Sequence, residues 1–206
     1  GYVPFRRLIG FNLVFMAVVG SLGVFTVEFL REEMHAGVSE VLLLSGFSFV
    51  GALLSLPVFG SVVDRTGSKP VMRVAIAMFA ACIALWFLLA SGVVPFHFAI
   101  VAGLNFAAGI ASAGFNLANV RIAMATMPEM GRNHFFALFT VITSLGLGAA
   151  PVLWGVGLDV IGPFEAVTGL FTWKRHSFYF LALFLLDLVA LAAAGLLMEA
   201  PAGGRI

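Results

Sequence analysis

A long stretch of this sequence carries no charged side chain. Between Val74 and Val120 there is no Asp, Glu, Lys or Arg. A helix crosses the roughly 30 Å hydrocarbon core of a bilayer with about 20 apolar residues, so this stretch is too long for one crossing. Ser91, Gly92 and Pro95 supply a turn in its middle, because Gly and Pro interrupt helices. The stretch therefore predicts two membrane spans joined by a short connection.

The composition places the whole chain in the membrane class. It has 206 residues, of which 62% are hydrophobic and only 10% are charged, against roughly 25% charged in an average soluble domain. The charges mark the ends of apolar runs, and apolar runs without alternation favour helices over a barrel. The sequence predicts an all-α, polytopic membrane protein with a single six-helix transmembrane domain over residues 1–206. The predicted spans lie at about 8–30, 41–63, 71–90, 96–124, 134–158 and 176–198.

A short cationic loop between the second and third spans sets the expected orientation. This charged loop, Gly60–Arg73, should stay on the cytoplasmic side, because Lys and Arg resist translocation. Both termini are then cytoplasmic, and we expect a multi-pass protein of the cell (inner) membrane. The cations on the inner side would be Arg6, Arg7, Arg65, Lys69, Arg73, Arg121, Arg132 and Arg205, against Arg31, Lys174 and Arg175 outside.

Several classes of function lack the residues that they need. A net charge of +1 creates no basic field for nucleic acid. The chain has no Gly-Lys-Ser/Thr phosphate loop, and its histidines lack the i, i+4 spacing of a metal site. No nucleophile is paired with a base, which leaves an intramembrane enzyme a remote alternative. We expect no enzyme activity, cofactor, metal or nucleic-acid partner. The histidines are His35, His97, His134 and His176.

The charged loop contains a spaced motif. Gly60, Asp64, Arg65, Gly67 and Lys69 follow the pattern G-x-x-x-D-R-x-G-x-K. The first glycine would let helices approach closely, the second would permit a tight turn, and the charges would form a cytoplasmic lock. An ordinary positive-inside loop is the alternative interpretation.

This motif resembles the loop signature of the major facilitator superfamily, whose fold contains two six-helix halves. The resemblance implies secondary active transport of a small polar solute by alternating access. It implies three partners: the solute, the lipid bilayer and the other six-helix half. It also implies that Asp64 and Arg65 stabilise the outward-facing state through contacts with neighbouring helix ends, and Arg121 is a further member of this lock.

The resemblance spans nearly the whole chain and suggests which half is present. Asn105 and Gly109 correspond to a family pattern, Arg-x-x-x-Gly, with Asn105 in place of the arginine. That pattern occurs chiefly in the first half of full-length members. Together with the missing initiator Met, this suggests the C-terminal half of a longer transporter. A self-contained half that pairs with a second copy stays open. So does a membrane scaffold or sensor that kept the fold without transport.

Polar residues form a stripe along the fourth span. Asn105, Gly109, Ser112, Asn116 and Asn119 recur at helical spacing and share one face. Such side chains can bind a polar solute, or they can hydrogen-bond a neighbouring helix. The resemblance favours the solute, because the first and fourth helices of each half line the central cavity in this family. We therefore predict a substrate site at Asn105, Ser112, Asn116 and Asn119, with two helpers from the first span, Asn12 and Thr26.

Two acidic residues are candidates for proton coupling. Asp187 lies in the middle of the sixth span, where an ionised carboxylate is costly, so it should be protonated or paired. A structural hydrogen bond is the favoured interpretation, because this helix is peripheral in the family. Glu28 lies near the outer end of the first span and is either a coupling residue or a solvated end charge.

Overall fold

The computed structural model describes residues 3–128, 131–162 and 164–197. Within these residues the chain forms six long helices and two short strands. The helices are α1 (Val3–Glu32), α2 (Val38–Thr66), α3 (Ser68–Ala90), α4 (Phe98–Thr126), α5 (Arg132–Ile161) and α6 (Arg175–Ala194). The strands, β1 (Glu165–Thr168) and β2 (Phe171–Lys174), lie between α5 and α6.

All six helices are long and apolar enough to cross a membrane. The predicted fold class, a polytopic membrane protein with six transmembrane helices, is confirmed. Helix bounds differ from the predicted spans by a few residues; α1, for example, begins at Val3 rather than at about Leu8. The predicted end of the sixth span at Met198 and the predicted inner position of Arg205 lie outside the described residues.

The helices alternate in direction, which gives the bundle two distinct ends. The loop end holds the junction of α2 and α3 at Gly67, where φ is +89° and a side chain would be strained. The hairpin end holds β1 and β2, and there the Thr172 N–H donates to the Ser91 carbonyl at 2.9 Å. That bond fixes the hairpin to the residue that follows α3.

The hairpin occupies the connection between the fifth and sixth predicted spans. Its strands pair antiparallel, with Ala166 opposite Trp173, and Gly169 takes a φ of +63° in the turn. Trp173 and Phe171 each pack against Phe87 of α3, with ring centroids 6.0 and 5.9 Å apart. These contacts close the bundle at this end.

The core forms around α1, which packs mainly on α5 and α6, whereas α4 packs mainly on α2 and α3. The buried residues of α1 recur every three or four positions, as one face of a helix requires. Phe15 is central, because its ring contacts Phe79 of α3 and Phe115 of α4 at 5.6 and 4.0 Å. The buried face of α1 is Leu8, Phe11, Phe15, Val18, Leu22, Phe25 and Phe29.

Two glycines bring α2 and α4 into backbone contact. A Cβ on Gly109 would overlap the Ser48 carbonyl, and a Cβ on Gly51 would overlap the Phe106 carbonyl. Small residues allow this approach in membrane bundles, where van der Waals packing and interhelical hydrogen bonds hold helices together. Gly60, predicted to serve the same purpose, meets nothing within 4 Å. That explanation of Gly60 is wrong, because no neighbouring helix passes close to this point.

Candidate functional site

A cavity of about 420 Å³ lies between α1, α4 and α5. Its polar lining comes from α4 and α5. The apolar lining comes from all three helices and from Phe79 of α3. The polar residues are Ser112, Asn116, Asn119, Thr140, Thr143 and Ser144; the apolar ones are Met16, Val19, Phe79, Phe115, Val120, Phe136, Phe139 and Leu147.

Asn119 forms one edge of this cavity and is paired with a residue of α1. Its Nδ2 donates to Asn12 Oδ1 at 2.7 Å, and Asn12 Nδ2 donates to Asn119 Oδ1 at 3.2 Å. Asn12 has no exposed surface, and its Nδ2 also donates to the Leu8 carbonyl at 2.9 Å. The two amides therefore satisfy each other across the contact between α1 and α4, and Asn12, predicted as a helper residue of the substrate site, does not line the cavity.

Three other polar side chains of the cavity have unused hydrogen-bonding capacity. Ser112, Asn116 and Ser144 make no hydrogen bond to any residue that the structure describes. By contrast, the Thr140 and Thr143 hydroxyls donate to carbonyls of their own helix at 3.0 and 2.8 Å. The free groups come from two helices that face each other, so a single bound molecule could contact both.

The cavity wall is electrically neutral. No described residue that lines it is an Asp, Glu, Lys, Arg or His. Hydroxyl and amide groups stand beside four phenylalanine rings, a combination that suits a molecule with both hydrogen-bonding and apolar surface. This wall therefore offers no charged side chain as a counter-ion for a bound molecule.

The predicted stripe on α4 does not reach the cavity along its whole length. Ser112, Asn116 and Asn119 line it, but Asn105 and Gly109 do not. Asn105 donates to the carbonyl of Val101 in its own helix at 2.9 Å. The stripe does share one helix face, but neighbouring helices divide that face: α2 covers it at Gly109, whereas α1 and α5 border it further along.

The predicted helper Thr26 also lies outside the cavity. Its hydroxyl donates to the carbonyls of Leu22 and Gly23, at 2.8 and 3.0 Å, within α1. Conversely, sequence reasoning missed the α5 contribution of Thr140, Thr143 and Ser144. Their spacing of three and four residues is the signal that could have revealed a polar face on the fifth span.

At the loop end, charged residues of α2, α3 and α4 make contacts between helices. Arg121 Nη2 of α4 lies 2.6 Å from Asp64 Oδ1 of α2. Lys69 Nζ of α3 donates to the carbonyls of Gly195 and Leu197, just beyond α6, at 2.8 Å each. A cation at the C-terminal end of a helix is favourable, because the last carbonyls have no partner in the helix. Among the described residues, the exposed Arg65 makes no such contact.

The Asp64–Arg121 pair should contribute little to the stability of this state. Both side chains are exposed, at 63% and 45%, and exposed pairs contribute about 0.2–1 kcal/mol. We expect Asp64→Asn to lower the free energy of unfolding by less than about 1 kcal/mol, and 1 M salt to remove the difference by screening. Arg65→Gln is the matched control and should show no effect at either salt concentration.

That prediction is checked by denaturant unfolding of the purified protein at low and high salt. The double variant Asp64→Arg/Arg121→Asp should recover the stability of the original pair. A loss in Asp64→Asn that persists in 1 M salt would contradict a screened, exposed pair.

The two acidic residues proposed for proton coupling lie apart from the cavity and from each other. Glu28 sits at the hairpin end, with Oε1 2.5 Å from Arg175 Nη2. Asp187 is fully buried in α6, which packs on α3 and α1. Neither Asp187 oxygen has a hydrogen-bond partner among the described residues. The structural hydrogen bond favoured from sequence is therefore wrong for the part of the chain that the structure describes.

These elements define a class: a multi-pass helical membrane protein whose bundle has an open, neutral polar cavity and a charged loop between its second and third helices. The model of the Major Facilitator Superfamily matches residues 8–205. The chain belongs to this family, and it is a transporter of the major facilitator type. The family consists of transporters rather than enzymes. No curated protein matches the chain in sequence.

Proposed function

We propose that the chain forms one six-helix half of a secondary transporter that moves a small, uncharged polar solute by alternating access. The observation that carries this proposal is the neutral cavity in which Ser112, Asn116 and Ser144 have no hydrogen-bond partner among the described residues. Ser112 is half-buried, and Asn116 and Ser144 are exposed, so a molecule in the cavity can reach all three. A solute with hydroxyl or amide groups would satisfy them.

The exposure of α2 and α5 supports the second half as a partner. In the most apolar stretch of each helix, 22% of the residues of α2 and 11% of those of α5 are buried, against 39–50% in the other four helices. Because the cavity opens beside α5, a second six-helix half placed against this side would enclose the solute between two walls. The second half belongs either to the same polypeptide or to a second copy, and the two would rock about the solute site.

The loop end supplies the conformational lock in this proposal. We place it on the cytoplasmic side, because the charged loop and both termini carry the cations that resist translocation. The Asp64–Arg121 pair and the Lys69 contacts beyond α6 join α2, α3, α4 and α6. Since the Asp64–Arg121 pair is exposed, it can break and reform at low cost when the two halves move.

The test compares Asn116→Leu with Asn105→Leu in the full-length transporter. Both residues lie on α4, but only Asn116 lines the cavity, and the Asn105 amide is satisfied within its own helix. Loss of a hydrogen bond to the solute corresponds to about a tenfold fall in kcat/KM for Asn116→Leu. Asn105→Leu should retain flux within about twofold, because its neighbours do not touch the solute.

Flux is measured as uptake of radiolabelled neutral sugars, polyols and amides into proteoliposomes. Unchanged uptake in both variants would show that the cavity assignment is wrong. If no member of the panel is taken up by the unaltered protein, whereas charged solutes are, the neutral-solute proposal fails. A protein that moves neither class would instead fit the scaffold or sensor alternative.

A further inference from the structure

A cluster of six charged or titratable residues lies at the hairpin end, between the end of α1 and the start of α6. This hairpin-end cluster consists of Glu28, Glu32, Glu33, Lys174, Arg175 and His176. All except Glu28 line a cavity of about 560 Å³. The cluster has three carboxylates and two Lys or Arg cations around the histidine.

His176 is oriented within the cluster as a metal-binding histidine would be. Its side chain is 2% exposed, and its Nδ1 lies 2.5 Å from Glu33 Oε1. A carboxylate can only accept, so Nδ1 carries the hydrogen of this contact and Nε2 is the ring atom left for a ligand. Nε2 is buried, has no hydrogen-bond partner among the described residues, and lies 3.8 Å from Glu28 Oε1. The nitrogen that could bind a metal therefore lies beside a carboxylate that could bind the same ion.

We propose that Glu28, Glu32 and His176 bind a divalent first-row transition ion such as Zn²⁺. One ligand atom from each residue lies within 4.8 Å of the others. Zn²⁺ binds histidine nitrogen and carboxylate oxygen at about 2.0–2.2 Å, which places tetrahedral ligand atoms about 3.4 Å apart. Ligand atoms 4.8 Å apart would have to approach by about 1.4 Å, and Glu32, whose side chain is 59% exposed, has room to move inward once Arg175 moves away.

Glu33 is not a proposed ligand, but it orients the histidine that is one. A histidine bound to a metal commonly donates its other ring N–H to a carboxylate, which fixes the ring and raises its basicity. The Glu33–His176 contact has this geometry. An imidazole ligand also favours Zn²⁺ over Mg²⁺ and Ca²⁺, which prefer oxygen ligands.

Arg175 lies between the two carboxylates that the proposed ion would bind. Its Nη2 lies 2.5 Å from Glu28 Oε1 and 3.1 Å from Glu32 Oε2. One cationic group thus bridges the same two carboxylates that the ion would bridge. Because Arg175 borders an open cavity, its guanidinium can swing away when the ion enters, and it competes with the ion for the site.

This site is separate from the proposed solute cavity and does not depend on it. The two share no residue. The sequence-based expectation of no metal considered only the spacing of histidines along the chain. Here the ligands come from the end of α1 and the start of α6, which the fold brings together, so spacing along the chain could not indicate them.

The test is calorimetric titration of the purified chain in detergent with ZnCl₂. We expect one saturable site, with at least about tenfold weaker affinity in Glu28→Gln and Glu32→Gln, as for loss of a ligand. Arg175→Gln should bind several-fold more tightly, since the competing cation is gone. Glu165→Gln is the matched control: it changes a carboxylate that lines the same cavity outside the ligand set, and its affinity should stay within about twofold.

Equal affinity in Glu32→Gln and the unaltered protein would overturn the site, and so would displacement of Zn²⁺ by millimolar Mg²⁺. Glu32 is exposed, so its variant folds even if Glu28→Gln does not. Unchanged affinity in Arg175→Gln would also overturn the site, because removing a cation from between two ligands must strengthen binding. Absence of saturable Zn²⁺ binding would likewise overturn the site, and the His176–Glu33 contact would then be a structural hydrogen bond only.

Discussion

Gly109→Ala should destabilise the bundle by about 3 kcal/mol, because its one added methyl group has no space. The new Cβ would overlap the Ser48 carbonyl, and the backbone atoms behind that oxygen are also in contact. Backbone atoms of a packed helix cannot move aside without separating α2 from α4. Those two helices share the most extensive contact in the described bundle, so the loss should be large.

The same substitution at two other glycines of α4 should have smaller effects on stability. Gly103 meets nothing within 4 Å, so Gly103→Ala should be neutral or stabilising by up to about 1 kcal/mol through helix propensity. At Gly114 the obstacle is the ring of Phe59, a side chain that can shift. Gly114→Ala should therefore fall between the other two variants.

The series is measured by heat or denaturant unfolding of the purified protein in detergent, with folded yield as a second readout. All three variants make the same chemical change in the same helix. If Gly109→Ala were as stable as Gly103→Ala, the close backbone contact between α2 and α4 would be refuted.

The sequence could predict the number and approximate limits of the helices, because a bilayer imposes a minimum apolar length and charges mark the span ends. It could not predict the hairpin, whose strands of four residues each are shorter than most sequence patterns resolve. Between α5 and α6 the turn glycine Gly169 was visible in the sequence, but the role of Phe171 and Trp173 depends on their packing against Phe87 of α3.

The candidate site was predictable only in part, for a related reason. Helical spacing correctly places the α4 asparagines on one face, but the neighbour of each asparagine depends on where other helices cross. That is why Asn105 and Gly109 lie outside the cavity, and why Gly109 rather than Gly60 makes the close contact. Crossing points depend on packing between distant segments, which local spacing does not encode.

The Asn12–Asn119 pair should show strong energetic coupling. Asn119→Leu leaves the Asn12 amide fully buried with only its bond to the Leu8 carbonyl, and an unsatisfied buried polar group costs about 1–3 kcal/mol. Replacing both residues by leucine removes the stranded group, because two apolar side chains of similar size can pack together. The double variant should therefore be more stable than the sum of the single losses predicts, by about 1 kcal/mol.

A double-mutant cycle of unfolding free energies measures this coupling, and Asn12→Leu with Asn105→Leu is the matched cycle. Asn105 bonds within its own helix, so that second cycle should be additive. Additive losses in the Asn12–Asn119 cycle would contradict the paired amides. Flux then separates the two roles of Asn119: if Asn12→Leu/Asn119→Leu regains stability but not solute uptake, the Asn119 amide serves the cavity as well as the contact between α1 and α4.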